Sequence, residues 1–318
     1  MFGRKIRLLH GKKSCLVRTN EMRSARGVVI AFLLVCSMAL AEEVGLVLSG
    51  GGAKGAYEVG VWKAMKEAGV ADRVAVISGT SVGALNAALF ASEPDMSKIE
   101  KIWLENLRDV LRPNAAWKSN VIERIRRGGG DDSASSKMDK IHRGMHNEGI
   151  VDPQALSNIL AKCLRPEWTE STPMVYSTSC ENGMVAKSYL LNAESHEKRI
   201  ELLRASSAIP ILFSTVNVDG KIHVDGACKM NTPIEPIVRN FPKIKTIYVV
   251  YLDERERVQV DHDGIDVKKY EGRNIIEIFP SHKMGGRFGA IRFNSKVASQ
   301  WFQLGYDDTM KILGVKNL

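Results

Sequence analysis

Residues 74–91 read VAVISGTSVGALNAALFA, and their reading decides the fold. Val74 to Ser78 is a short apolar run closed by Gly79, which predicts a buried strand. Val82 to Ala91 is a run of mostly small residues, which predicts a helix. Between the two lies Gly79-Thr80-Ser81-Val82-Gly83. Outward to the N-terminal side, Val44 to Ser49 (VGLVLS) predicts another buried strand. Gly55 to Ala68 predicts a helix, with Ala56, Val59, Trp62, Met65 and Ala68 at helical spacing and Gly69 as its stop. On the C-terminal side, Ser97 with Glu100 predicts a capping box that opens a helix carrying Ile102, Trp103 and Leu107. Strand and helix therefore alternate, the pattern of an α/β fold with a parallel sheet and helices on both faces.

Further along, Asp152-Pro153 predicts a capped helix start, with the proline in the first turn. Met174–Thr178, Ala186–Leu191, Thr246–Leu252 and Asn274–Phe279 predict strands, and Ser295–Leu313 a closing helix. Asp219-Gly220, between VNV and KIHV, is a hairpin turn signal. Residues 112–150 differ from the rest: they are polar and glycine-rich, and read as a surface insertion or as a flap over a site. No linker divides the remainder, so residues 42–318 are expected to form one catalytic domain.

The net charge of +9 is local. Eight of the 45 Lys and Arg, but only one of the 36 Asp and Glu (Glu21), fall in residues 1–41, leaving 37 basic and 35 acidic residues for the rest. A nearly neutral body argues against a nucleic-acid partner. Residues 1–41 instead have the order of an export leader: a basic start, the apolar run Gly27–Leu40, and Ala39-Leu40-Ala41 as a cleavage pattern. Met22 offers a second, more compact start. The expectation is an exported protein, periplasmic or secreted, with an uncleaved membrane anchor, a buried helix or a lipid attachment at Cys36 as the alternatives. Cys163, Cys180 and Cys228 form an odd set that implies no full disulfide framework.

The chemistry is concentrated in three places. G-x-S-x-G between a strand and a helix is the setting of a nucleophile elbow, which exposes Ser81 at the strand end and points the positive end of a helix at developing charge. Gly50-Gly51-Gly52-Ala53-Lys54-Gly55 is a glycine-rich turn at a helix start, able to offer backbone N–H groups to an oxyanion. The same letters fit a dinucleotide fingerprint, but that motif needs an acidic residue at the end of the next strand, where Ser78-Gly79 stands. They do not fit a P-loop, because Lys54 is followed by Gly55. The third place is Asp225-Gly226, which follows a strand and has no turn role to explain it. Asp225 is therefore the candidate catalytic carboxylate.

Taken in order, GGGAKG, GTSVG, SSAIPILF (residues 206–213) and VDGA with Asn231 and Pro233 after it resemble the patatin-like phospholipase family, over most of the chain from Val44 to about Leu313. The resemblance implies a three-layer α/β/α fold with a mostly parallel central sheet. It implies a lipid acyl hydrolase with a Ser-Asp dyad, Ser81 as nucleophile and Asp225 as base, and an oxyanion hole from Gly50, Gly51, Gly52 and the backbone around Lys54. Lys54 stands where the family often has arginine. No organic cofactor or metal is implied. The partners implied are a lipid or phospholipid substrate and, transiently, a membrane surface.

An Asp with an ordinary pKa near ~4 is a weak base at neutral pH, so the dyad requires a site shielded from water. Histidines offer rivals. His282 follows a late strand, where a triad esterase built on Ser81, Asp225 and His282 would place its imidazole. His223 reads as a strand residue facing solvent or core, and His262 lies in a charged loop. His142 and His146 stand four apart without a third ligand. A nucleotide-binding protein using the glycine turn is the other alternative.

Overall fold

The computed structural model describes residues 42–105, 150–210 and 212–315. The leader, most of the polar insertion, and His142 and His146 lie outside them. The elements among the described residues, in chain order, are β1 (Val44–Leu48), α1 (Ala56–Glu67), β2 (Val74–Thr80), α2 (Val82–Ser92), α3 (Met96–Glu105) and α4 (Pro153–Cys163). There follow β3 (Met174–Glu181), β4 (Val185–Leu190), α5 (His196–Ser206), β5 (Val216–Val218), β6 (Lys221–Asp225) and α6 (Glu235–Asn240). The chain closes with β7 (Thr246–Val250), α7 (Arg255–Asp261), β8 (Asn274–Ile278), a one-turn helix α8 (Gly286–Gly289) and α9 (Ser295–Ile312).

The strands form an eight-stranded mixed sheet in the order β5-β6-β3-β2-β1-β7-β8, with β4 also on β3. Strands β3, β2, β1, β7 and β8 run parallel. The end beyond β2 is antiparallel, where β3 meets β4 and β6, and β6 meets β5. Side chains alternate across the sheet, as the period of two requires. Leu46, Leu48, Ile77, Tyr248 and Val250 face one core with α1, α2, α5 and α9. Val47, Val76, Ile247 and Val249 face a second core with Ile234 before α6, Ile237 within it and Val258 of α7. The result is a three-layer α/β/α arrangement with a mostly parallel sheet, as expected.

Local signals worked where the chemistry is short-range. Asp152 accepts the Gln154 N–H at 2.9 Å and Pro153 is the first helical residue. Asp219 (φ 50°) and Gly220 (φ 83°) both take positive φ in the β5–β6 turn, the conformation that makes two-residue hairpins favour Asp-Gly. The capping box at Ser97 and Glu100 is not formed. Asp95 sits at the cap instead, its carboxylate accepting the Ser97 N–H at 3.0 Å, and the helix starts at Met96. Asp95 is as good a cap residue as serine and adds a negative charge at the positive end of the helix, so with it two positions earlier Ser97 falls inside the first turn.

Candidate active site

The position of Ser81 follows from how β3 uses one edge. Its first half, Met174 to Thr178, pairs with β2 in parallel, ending at Thr80↔Thr178. Its last residues, Ser179 to Glu181, pair with β6 in antiparallel fashion, beginning at Ser179↔Asp225. β4 occupies the opposite edge from Tyr176 to Glu181, across that change of partner. Thus β2 and β6 run toward each other along the same edge and their C-terminal ends meet. Ser81 follows the last residue of β2, and Asp225 is the last residue of β6. The Ser81 hydroxyl donates to Asp225 Oδ2 at 2.6 Å across a sequence separation of 144 residues.

The turn at Ser81 is strained. Its φ of 55° and ψ of −126° lie in a region that residues with a Cβ rarely adopt. The flanking glycines make it possible: a Cβ on Gly79 would lie 2.3 Å from the Gly83 carbonyl oxygen, and one on Gly83 would lie 2.4 Å from that of Leu48. The Ser81 N–H donates to the Ser206 hydroxyl at 2.8 Å, which in turn donates to the Thr178 carbonyl at 2.6 Å, at the junction where β3 changes partners. The Ala208 carbonyl accepts the Asp225 N–H at 2.9 Å. The SSAIPILF segment therefore ties down both members of the pair.

Asp225 is 3% exposed and Ser81 4%. Burial pushes the Asp225 carboxyl from its ordinary 3.8 up to about 6, against the opposing hydrogen bonds from Ser81 and from the Ala227 N–H. Desolvation wins because it acts on the whole charge, while each hydrogen bond recovers only part of it. The shielding that a carboxylate base needs is present.

The glycine turn lies against Ser81, and Gly52 lines the same cavity. Its four expected oxyanion positions separate. The Gly50 N–H is taken by the Asn231 carbonyl at 3.1 Å and the Lys54 N–H by the Gly51 carbonyl at 3.3 Å. The Lys54 ammonium pairs with Asp253 at 2.6 Å, and burial lowers its pKa against that partner. Gly50 and Lys54 are thus engaged elsewhere, because Asn231 straps the end of β1 and the turn closes on itself as a 3₁₀ helix. Gly51 and Gly52 are the members of the four whose N–H groups remain for a ligand among the described residues.

Among the described residues, no histidine bonds Ser81 or Asp225. The Asp225 oxygens accept from Ser81 and Ala227. His282 is exposed and bonds the Ser281 hydroxyl, 3.0 Å away. His223 is buried between Ser179 (2.9 Å) and the Tyr189 hydroxyl (3.3 Å), with its pKa lowered by burial. His262 is exposed in a left-handed conformation at the end of α7.

Beside Ser81 opens a cavity of about 100 Å³ with an almost wholly apolar lining that includes Leu85, Leu89, Trp103, Leu160, Ile209 and Phe213. One wall is held by groups that sequence reading missed. Asn86, one turn into α2, donates to the Gly55 carbonyl at 3.0 Å and to Glu58 at 2.7 Å, and accepts the Trp103 indole N–H at 2.9 Å. Glu58 is fully buried, and desolvation raises its pKa well above the ordinary value. This network joins α2, the glycine turn and α3. Its signal in the sequence is a lone polar residue inside ALNAALFA, an otherwise apolar helix.

A family model described as patatin-like phospholipase matches residues 46–238. Among curated proteins, a lysophospholipase nte1 of Aspergillus terreus is 55% identical over 55 residues, 17% of this chain and 4% of that protein. Patatin-like phospholipase domain-containing protein 6 of Homo sapiens is 41% identical over 75 residues, 23% of this chain and 5% of that protein. The matches thus span a small fraction of those much longer relatives. Among solved structures, VipD from Legionella pneumophila is similar over 86% of this chain and 67% of that chain, at 16% identity and a TM-score of 0.45.

Proposed function

The chain belongs to the patatin-like phospholipase family, and from that premise we propose that it is a serine lipid acyl hydrolase of phospholipase A or esterase type. Ser81 is the nucleophile and Asp225 the general base. The observation that carries this reading is the direct 2.6 Å hydrogen bond from the Ser81 hydroxyl to a buried carboxylate, beside an apolar cavity.

Asp225 takes the hydroxyl proton as Ser81 Oγ attacks the acyl carbonyl. The carbonyl electrons move onto oxygen, and the N–H groups of Gly51 and Gly52 stabilise the oxyanion at the positive end of α2. Protonated Asp225 then returns its proton to the leaving alcohol oxygen as the C–O bond breaks. The acyl group remains on Ser81. Water, deprotonated by Asp225, releases the fatty acid in a second cycle. With a pKa at about 6, the carboxyl is ionised at neutral pH yet a better proton acceptor than an exposed Asp. The apolar cavity matches an acyl chain and offers little to a charged or sugar-like ligand.

The test is a fluorophosphonate probe followed by peptide mapping. Labelling at Ser81, lost in Ser81→Ala together with ester turnover and with an unchanged melting curve, is the expected result. Labelling elsewhere, or turnover that survives Ser81→Ala, would overturn the reading. The leader's order supports export, and N-terminal sequencing of protein recovered outside the cytoplasm should find a start near Glu42.

A further inference from the structure

We propose that the segment Ser281–Lys296, which carries α8, is a docking surface that seats the site on an anionic phospholipid bilayer. The proposal rests on the lipid-hydrolase reading above for its purpose, though not for its physical basis. Two large apolar side chains project from this segment: Phe288, 79% exposed, and Ile291, 51% exposed. They stand three residues apart, on and just after the one-turn helix.

A single exposed apolar residue means little, and Val260, 75% exposed, is such a case. Val260 is followed by Asp261 and Asp263, whose charges disfavour an anionic surface. Ser281–Lys296 contains no Asp or Glu. Lys283, Arg292 and Lys296 are exposed there, and none has an ion-pair partner among the described residues. Unpaired cations flanking exposed apolar side chains match an anionic headgroup layer above an acyl layer. Each basic residue near such a surface is worth about fivefold in affinity.

The segment is also joined to the site. The Ala290 carbonyl accepts the Ala53 N–H of the glycine turn at 2.8 Å, and Phe293 lines the cavity beside Ser81. Its inner side thus holds the catalytic turn while Phe288 and Ile291 face outward. A bilayer that takes up those two side chains is brought to the rim of the cavity, which shortens the path of an acyl ester to Ser81.

The experiment uses the full chain. Binding is measured by co-sedimentation on the Ser81→Ala background, with phosphatidylcholine vesicles with and without phosphatidylglycerol. The parent should prefer the anionic vesicles and lose that preference as salt rises. Phe288→Ser with Ile291→Ser should weaken binding to them by about tenfold or more. Lys283→Glu with Arg292→Glu should remove the anionic preference. In the otherwise native enzyme, both pairs should leave turnover of a short soluble ester within about twofold of the parent while lowering turnover on vesicles. Vesicle binding unaltered by either pair would overturn the proposal, as would equal binding of the parent to neutral and anionic vesicles. A change of oligomeric state in the apolar pair, with vesicle binding retained, would assign the patch to a second copy and also overturn it. The two readings fail separately: a parent without esterase activity whose vesicle binding depends on this loop sinks the hydrolase and keeps the docking surface.

Discussion

The two ends of strand β6 carry the same dipeptide in opposite surroundings. Asp219-Gly220 enters the strand through a turn, and Asp225-Gly226 leaves it. The Asp219 side chain is 74% exposed, pairs with Lys198 at 2.7 Å, and has the positive φ that the hairpin requires. Asp225 is buried in extended backbone, with one carboxylate oxygen on Ser81 and the other on the Ala227 N–H. Six residues apart, identical letters serve a turn at one end and a hydrogen-bond acceptor for Ser81 at the other. The difference lies in what the sheet brings to each end: solvent at the first, the C-terminal end of β2 at the second.

The sharpest way to break this contrast is to remove one charge at a time. Asp225→Asn should lower the acylation rate with a chromogenic ester by roughly a thousandfold or more, since an amide cannot accept the serine proton. Asp219→Asn should leave it within about twofold. Equal losses would erase the distinction.

The pH profile sharpens it further. The proposed mechanism requires ionised Asp225, whose carboxyl is held at about 6. kcat/KM should therefore be flat above that value and fall by about tenfold per pH unit below it. His282→Ala should not move this profile, and turnover should stay within about tenfold of the parent. A collapse of turnover in that variant would replace the dyad by a triad.

Stability gives a smaller and opposite effect. The raised pKa means that the folded state binds the Asp225 proton more tightly than the unfolded chain. The stability linked to this group is full below about pH 4 and is lost as pH rises through about 6. Ionised Asp225 at pH 7 then costs on the order of 3 kcal/mol. Asp225→Asn, which keeps both hydrogen-bond positions occupied, should raise the Tm at pH 7 by several degrees, an advantage that fades in acid. A lower Tm at pH 7 would contradict the burial argument.

The smallest effects are at the turn. Asp219→Asn should change stability by less than about 0.5 kcal/mol, because Asn accepts positive φ as readily and the lost ion pair is exposed. Asp219→Ala should cost about 1 kcal/mol, from the left-handed backbone, in urea unfolding.

Most elements of the fold were legible because their signals are short-range. Hydrophobic period, a proline after an aspartate, or an Asp-Gly pair between strands acts within a few residues of where it is written, and β1, α1, β2, α4, the β5–β6 hairpin and α9 fall where expected. The failure at Ser97 has the same scale: the cap is Asp95, only two residues earlier in the chain. At the site, the elbow glycines and Ser81 were legible as a strained turn. The roles of Ser206, Asn86 and Glu58 were not, since each depends on partners from distant elements.

Sequence alone thus determined which residues could react: a serine forced into a turn that only flanking glycines permit, a glycine-rich helix start, and an aspartate without a turn to explain it. Tertiary structure decided which of them meet. Nothing in residues 74–91 says that β6 will run against β2 along the same edge of β3, and that register alone brings Ser81 to Asp225. It also decided that Gly50 gives its N–H to Asn231, that Gly51 and Gly52 keep theirs, and that Asp225 lies out of water. The physical reason is range. Backbone strain and strand propensity are set by neighbours in the chain, whereas pairing register and desolvation are sums over contacts from segments more than a hundred residues apart.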